Sequence, residues 1–176
     1  MSNGSQLFKI DPATKQANPA REVDFAQLGF KEKQDIQEWI ISNPSILGEE
    51  LLVVAKEFSA FDKEGNLVIV EPKRDDTGAD VHWQAVKDAS YFQRAGPDHV
   101  VDMLSRHANI SKEEAAGRLE EYLDSGDLQD LNSDQRIILA SHRFAPEVTS
   151  AVVWPNQKTA SEAMITCVQL TPYRDP

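Results

Sequence analysis

The sequence predicts an α/β or α+β fold in which one mixed central sheet is flanked by helices. The aliphatic run at residues 67–70 is typical of a strand covered on both faces. Strand-like and helix-like segments follow one another in the order β-α-β-β-α-α-α-β-α-β, which favours a sheet with helices on both sides. At 176 residues, of which 40% are hydrophobic, the chain is long enough for one such core and too short for two full-sized domains.

The N-terminal part is predicted to be separate from this core. Residues 1–29 are interpreted as an edge strand at residues 7–10 followed by a connector, and residues 30–176 as a single domain. The domain begins with a helix at residues 31–43, where apolar side chains recur at helical spacing and Pro44 ends the pattern.

Two strands are predicted next, over residues 51–61 and 66–73. The segment between them, residues 62–65, ends in glycine and is typical of a hairpin turn. This turn would pair Phe61 with Asn66.

The second half of the chain contains most of the predicted helices. Ser111 and the glutamate three residues later form a capping box, which marks the start of the third of these helices. Two helices at about residues 97–134 are interpreted as an insertion into the domain. The predicted elements are helices at residues 77–93, 98–107, 111 onward and 146–153, and strands at residues 136–141 and 165–171.

Composition excludes several classes of function. The chain has no glycine-rich phosphate loop and no G-x-S-x-G, so P-loop NTPases and serine hydrolases lack their defining parts. A single cysteine, Cys167, excludes a disulfide within one chain, and the four histidines show no metal-ligand spacing. No apolar run reaches the roughly 18 residues of a membrane span, so we expect a cytoplasmic protein without membrane contact.

The net charge of −11 argues against nonspecific binding to a polyanion. Residues 111–135 hold eight acidic and two basic side chains, which is over half of the excess. This acidic segment is either a solvated helical face or a surface for a protein partner.

Glu71 and Lys73 are the main candidates for a catalytic site. They end the aliphatic strand two residues apart, so both leave the same face, roughly 6.6 Å apart along the strand. A carboxylate can bind Mg²⁺, and a neighbouring lysine can orient or deprotonate the attacking water in phosphodiester hydrolysis. The alternative is an ordinary strand end that leaves the core.

Residues of two helices are predicted to converge on this strand end. Glu32 shares the inward side of the first helix with Ile36, whereas Glu38 points away and is the weaker candidate. Gln84 and Asp88 lie four residues apart on the next helix. The alternatives are a dipole-stabilising acid for Glu32 and exposed polar residues for the other pair. Lys73 and Arg74 are candidate phosphate contacts.

Four ordered blocks resemble the PD-(D/E)xK nuclease superfamily, and in particular its NucS-type endonuclease-like branch of bacterial proteins. The resemblance covers nearly the whole chain. The blocks are LFKIDP, KEKQDIQEWIISNPSILGEELL, GNLVIVEPKRDDTGADVHWQAVKDASYF, and RIILASHRFAPEVTSAVVW with ITCVQLTPYR.

The resemblance implies a restriction-endonuclease-like core that binds Mg²⁺ or Mn²⁺ and hydrolyses DNA phosphodiesters. Glu71 and Lys73 match the E-x-K motif, Glu32 the helix acid, and Gln84 the glutamine of a Q-x-x-x-Y motif. Asp88 stands where that motif has its tyrosine, and Pro72 stands where relatives carry an aliphatic residue.

The resemblance also implies a strand with a metal-binding Asp before the E-x-K strand, and this chain has only the turn there. Asp62 is no substitute, since it would lie about five residue rises, roughly 17 Å, from Glu71. Two functions follow: an endonuclease-like domain impaired by the missing ligand, or a catalytically silent module that binds nucleic acid or protein. A weaker third hypothesis is a domain that pairs with itself as a homodimer.

Overall fold

The computed structural model describes residues 7–56, 59–74, 81–157 and 164–174, with only the backbone at residues 81–84. The strands are β1 (Phe8–Asp11), β2 (Gln16–Pro19), β3 (Arg21–Glu22), β4 (Leu52–Ala55), β5 (Ser59–Phe61), β6 (Leu67–Pro72), β7 (Gln135–Ser141), β8 (Ile165–Gln169) and β9 (Tyr173–Arg174). The α-helices are α1 (Gln37–Ser42), α2 (Val81–Phe92), α3 (Pro97–Ala108), α4 (Lys112–Tyr122) and α5 (Pro146–Asn156). A π-helical turn, Glu32–Ile36, precedes α1, and short 3-10 helices form at Pro44–Leu47 and Leu128–Asp130.

The predicted mixed sheet flanked by helices is confirmed. Its strand order is β4-β5-β6-β7-β8, in which the first three strands form an antiparallel meander. The strands β6, β7 and β8 run parallel to one another. The middle position of β6 explains its sequence, because all six of its residues are buried.

Each face of the sheet has its own hydrophobic core. On β6, Leu67 and Ile69 face a core completed by buried residues of α2, α3, α4 and α5. Val68 and Val70 face the opposite core, to which the first helical segment contributes Ile36 and Ile40. The alternation along β6 therefore assigns Glu71 to the face covered by α2.

Local chemistry explains where the helices begin and end. The predicted capping box is confirmed in part, since the backbone N–H of Glu114 donates to the Ser111 hydroxyl at 3.1 Å. The first helical segment spans residues 32–42, close to the predicted 31–43. The 3-10 turn behind it stops at Gly48, whose φ of 89° is accessible to glycine at little cost.

The predicted single strand at residues 51–61 is wrong, because the segment contains two antiparallel strands. Leu52 pairs with Phe61, and Ala55 pairs with Ser59. The charged pair Lys56 and Glu57 interrupts the apolar residues of this segment and is the signal in the sequence that separates the two strands.

The predicted turn at residues 62–65 is confirmed, but the strand register differs by one residue. Phe61 pairs with Leu67 rather than with Asn66. The N–H of Gly65 donates to the Asp62 carbonyl at 3.2 Å, and the N–H of Asp62 donates to the Asn66 carbonyl at 3.2 Å. Asp62 therefore lies opposite Asn66, and the loop between them has three residues, of which the last is the left-handed Gly65. As a result, Phe61 lies opposite Leu67.

The predicted edge strand at residues 7–10 also needs correction. It forms β1, which pairs with β2 in a two-stranded hairpin rather than with the central sheet. β2 was not predicted, because its sequence QANP lacks the β-branched and aromatic residues of typical strands.

In the described part of the chain, no helix is both long enough and apolar enough to cross a membrane.

Gly65→Ala should lower the free energy of unfolding by about 1–3 kcal/mol. Gly65 has a φ of 86°, and an added Cβ would lie 2.8 Å from the backbone oxygen of Asp130. Gly48→Ala is the matched control, because its φ of 89° is similar but nothing lies within 4 Å of its Cβ position. Urea unfolding of both variants separates the cost of the positive φ, which both share, from the cost of the contact with Asp130, which only Gly65→Ala would make. Equal decreases in the free energy of unfolding would contradict a role for the Asp130 contact.

Candidate functional site

The candidate site lies at the carboxyl end of β6. Glu71 pairs with Leu139 of β7, and the Lys73 N–H donates to the carbonyl of Ala140 at 2.7 Å. β7 therefore holds the backbone on both sides of Pro72. Glu71 and Lys73 leave the same face of the strand, as the spacing of two predicts.

Pro72 is compatible with this position. Lys73 uses its N–H toward β7, so the missing N–H of Pro72 belongs to the opposite side, that of β5. Within the described residues, pairing with β5 ends at Ile69, opposite Ser59. The proline therefore removes no hydrogen bond from the described ladder.

The Lys73 ammonium lies between two carboxylates from different elements. Its Nζ is 2.6 Å from Oε1 of Glu71 and 3.4 Å from Oε1 of Glu32. The Glu71 side chain is 11% exposed and that of Lys73 20%, so this contact is screened little by water. Glu32 begins the π-helical turn, and from there its carboxylate reaches Lys73 at the end of β6.

Burial and pairing act on both ionisable groups. Burial is the largest effect on Glu71 and raises the pKa of its carboxyl, although the hydrogen bond from Lys73 opposes this. Burial also disfavours the charged form of Lys73, but the hydrogen bond and attraction to Glu71, together with Glu32, outweigh it and raise the lysine pKa. Lys73 is therefore protonated at neutral pH in this arrangement.

A pocket of about 860 Å³ opens over this group. Among the described residues, its charged lining includes three carboxylates and three lysines. The other described lining residues are a glutamine, a proline and two aromatic residues. The residues that line it are Glu32, Lys33, Gln37, Lys56, Glu71, Pro72, Lys73, Asp88, Tyr91 and Phe92.

The other predicted candidates divide into three groups. Asp88 lines the pocket, and its charge contributes to the raised pKa of Glu71, although burial is the larger cause. Glu38 is not part of the lining and instead approaches Lys56 at 4.0 Å. Arg74 is exposed and also lies outside the lining. Gln84 belongs to α2, but its side chain lies outside the described residues.

Sequence reasoning missed three polar residues of the lining. Lys33 and Gln37 lie four residues apart, which places them on one face of the first helical segment. Lys56 directly follows β4. The spacing of Lys33 and Gln37 was a usable signal. The position of Lys56 in the pocket could be predicted only if residues 51–61 were first divided into β4 and β5.

Asp62 belongs to a separate ion-pair group. Its carboxylate accepts from the Asn66 N–H at 2.8 Å and lies 2.9 Å from the Arg136 guanidinium, which also binds Glu49 at 2.6 Å. Asp62 lies opposite Asn66, so five residue rises, roughly 17 Å, still separate it from Glu71. Its contacts fix the turn before β6.

The described residues at the end of β6 offer a divalent cation such as Mg²⁺ two carboxylates, which is a small number of protein ligands. Two carboxylates, of Glu71 and Glu32, approach one point, and Mg²⁺ in proteins often takes one or two carboxylates plus water and phosphate oxygens. In the described ranges, no three histidine, cysteine, aspartate or glutamate side chains group closely enough to hold a metal ion.

No protein-family model, curated protein or solved structure matches this chain.

Glu71→Gln should change how stability depends on pH. The folded-state pKa of Glu71 is raised above its ordinary value of 4.5, so its contribution is most favourable when it is protonated and is lost as pH rises through the folded pKa. The free energy of unfolding of the unsubstituted chain, relative to that of the variant, should thus fall as the pH rises from below 4.5 through the raised pKa of Glu71. Urea titrations at intervals of pH measure this difference.

Glu113→Gln provides a control of opposite sign. A backbone N–H and the Ser111 hydroxyl lower the pKa of Glu113, so its contribution appears as pH rises and is lost as pH falls. The difference relative to this variant should increase with pH. Parallel curves for the two variants would contradict the assigned environment of Glu71.

Proposed function

We propose that the chain is an endonuclease-like domain that uses Mg²⁺ or Mn²⁺ to hydrolyse DNA phosphodiester bonds. The observation that carries this proposal is the convergence of Glu71, Lys73 and Glu32 on one point at the mouth of a pocket. Two carboxylates and an ammonium are the groups that a metal-dependent phosphodiesterase needs together.

The order of elements supports a restriction-endonuclease-like core. A helical segment precedes a three-stranded meander, and the strand β7, which follows α2, α3 and α4, runs parallel to the last strand of the meander. The E-x-K residues stand at the carboxyl end of that last strand, β6. The resemblance also implies an Asp on the strand before it, and the described residues of that strand, Ser59–Phe61, include none.

Each side chain has a defined part in the proposal. Glu71 and Glu32 would hold the metal ion, which when bound supplies Lewis-acid polarisation of the phosphate and offsets its developing charge. Lys73, whose ammonium lies beside both carboxylates, would orient or deprotonate the attacking water. Lys33 and Lys56 line the same pocket and provide positive charge for the flanking phosphates.

Lys73→Ala should lower the rate of DNA cleavage by roughly 10²-fold or more, in line with the contribution of a positioned acid–base or water-orienting group. The assay follows cleavage of labelled duplex, branched and single-stranded DNA with Mg²⁺ or Mn²⁺ supplied. Glu71→Gln should have an effect at least as large, since it removes the central carboxylate.

Lys63→Ala is the matched control for this assay. Lys63 lies in the turn at the other end of β6, where it pairs with Glu50 at 3.0 Å. Both variants remove one lysine charge, so only loss of a local role distinguishes them. Cleavage that is equally fast in the Lys73 and Lys63 variants would reject the site.

A catalytically silent binding module is the second candidate, because Lys73 already occupies the point where a cation would bind. Its ammonium contacts both carboxylates, and in the described residues no third ligand accompanies them. In this reading the lysine replaces the metal, and the pocket serves to bind nucleic acid or a protein partner.

Titration with Mn²⁺ separates the two candidates. A nuclease should bind Mn²⁺ in the unsubstituted chain and lose it in Glu71→Gln. A silent site should bind no Mn²⁺ until Lys73→Ala removes the ammonium, and its DNA affinity, if any, should fall with salt without cleavage. Calorimetry or the paramagnetic signal of free Mn²⁺ measures the binding.

A further inference from the structure

His142 is a fully buried ionisable side chain that contacts two segments distant in the sequence. It directly follows β7, and none of its side chain is exposed. Its Nδ1 lies 3.2 Å from the backbone carbonyl oxygen of Leu170, just after β8. Its Nε2 lies 3.1 Å from Oδ1 of Asp24, in the segment 23–31 that leads from β3 to the first helical segment. We call residues 23–31 the connector.

The contacts of the ring determine where it carries its protons. A carbonyl oxygen can only accept, so Nδ1 is the donor toward Leu170. Among the described residues, Nε2 has no hydrogen-bond partner. In a neutral ring it would therefore be a buried acceptor without a donor, 3.1 Å from a carboxylate oxygen. A proton on Nε2 replaces this repulsion with an ion pair between the imidazolium and Asp24.

The charges that face the ring balance when it is protonated. Nε2 lies 3.1 Å from Asp24 and 3.8 Å from the Glu22 carboxylate. Arg143 contacts the same oxygen of Asp24 at 3.0 Å, and Gln27 donates to the other oxygen at 2.9 Å. The group thus has two negative charges and, with an imidazolium, two positive charges. A neutral ring leaves one negative charge in excess beside a buried acceptor.

The neighbouring strand β9 adds exposed charge to this group. Its Tyr173 pairs with Glu22 and its Arg174 with Arg21, and all four residues are exposed. Water screens such charges more strongly than buried ones. The Asp24 side chain is 30% exposed and that of Glu22 53%, so Asp24 is the main partner of the ring.

The connector and the residues after β8 contribute to the lining of an apolar pocket of about 450 Å³. His142 contacts both parts. Its ring lies edge-on to Phe25 of the connector, with 6.0 Å between the ring centroids, and its Nδ1 contacts Leu170. The ion pair with Asp24 therefore joins the two parts of the lining through one ring. The lining residues of these parts include Phe25, Leu28 and Phe30 in the connector, and Leu170, Pro172 and Tyr173 after β8.

We propose that His142 is a pH-sensitive switch: its protonated ring holds the connector through Asp24, and loss of the Nε2 proton to water releases the connector from the residues after β8. Nδ1 keeps its proton in both states, because it donates to Leu170. Repulsion between the Nε2 lone pair and the Asp24 carboxylate drives the release. Because the held form binds a proton that the released form gives up, the connector is held on the acidic side of the His142 titration and released on the alkaline side. The switch does not depend on the activity of the Glu71 site.

Nuclear magnetic resonance of the unsubstituted chain measures both events over a pH series. The ¹⁵N signals of the His142 ring report the proton on Nε2, and amide exchange reports local opening of the backbone. The N–H groups of Val23 and Phe30 are hydrogen-bonded in the held connector, each at 3.1 Å. Their protection, corrected for the intrinsic exchange rate, should be lost over the pH interval in which Nε2 loses its proton. Protection of the Leu123 N–H, which donates to Leu119 of α4, should not change there.

Asp24→Asn removes the charge that the switch requires. An amide can accept from a protonated Nε2 and donate to a neutral one, so the connector should stay held across the His142 titration. The loss of protection at Val23 and Phe30 on the alkaline side should therefore disappear in this variant. The substitution preserves side-chain volume at a position that is 30% exposed, so the fold should persist, as circular dichroism would check.

Glu22→Gln is the matched control. It removes a carboxylate of the same group, but one that is 3.8 Å from Nε2 and 53% exposed, so the pH response of the connector should remain. Three results would each overturn the proposal: protection of the connector that does not change where His142 titrates, a response that persists in Asp24→Asn, or a response that Glu22→Gln abolishes as completely as Asp24→Asn.

Discussion

The arrangement of the site depends on the complete burial of β6. This strand lies between β5 and β7, with a helical layer over each face, so its backbone position is fixed by hydrogen bonds and packing on every side. The charged residues Glu71 and Lys73 lie at the carboxyl end of this buried strand. Burying the Glu71 carboxylate is unfavourable without a partner, and the spacing of two supplies Lys73 on the same face at 2.6 Å. The same packing that stabilises the sheet therefore holds the reactive groups in place.

The parts of the fold that were predictable have local causes. Three features are determined by only a few neighbouring residues each: the aliphatic strand β6, the turn at the left-handed Gly65 and the helix cap at Ser111. The division of residues 51–61 into two strands has a weaker local signal, because only the charged pair Lys56 and Glu57 interrupts the apolar residues and no glycine or proline marks a turn. The hairpin β1–β2 was missed for the opposite reason, since β2 has almost no strand-forming residues.

The candidate site shows the same division. Helical spacing from the inward-facing Ile36 selected Glu32 over Glu38, and the structure brings Glu32 near Lys73 while Glu38 lies beside Lys56. Lys33 could be selected only by its helical spacing from Gln37, and Lys56 only by a contact between segments distant in the sequence. Exposed lysines are common, so neither signal is specific.

The two proposed functions differ in which cation the paired carboxylates hold. The Lys73 ammonium, 2.6 Å from Glu71, and a metal ion would both be attracted by the negative charge of the same two carboxylates, so each would weaken the binding of the other. Lys73 has a flexible four-carbon stem and can withdraw to the open side of the pocket, whereas the two carboxylates are held by β6 and by the helical turn of Glu32. The balance therefore depends on the cost of releasing one lysine from a partly buried ion pair with two carboxylates.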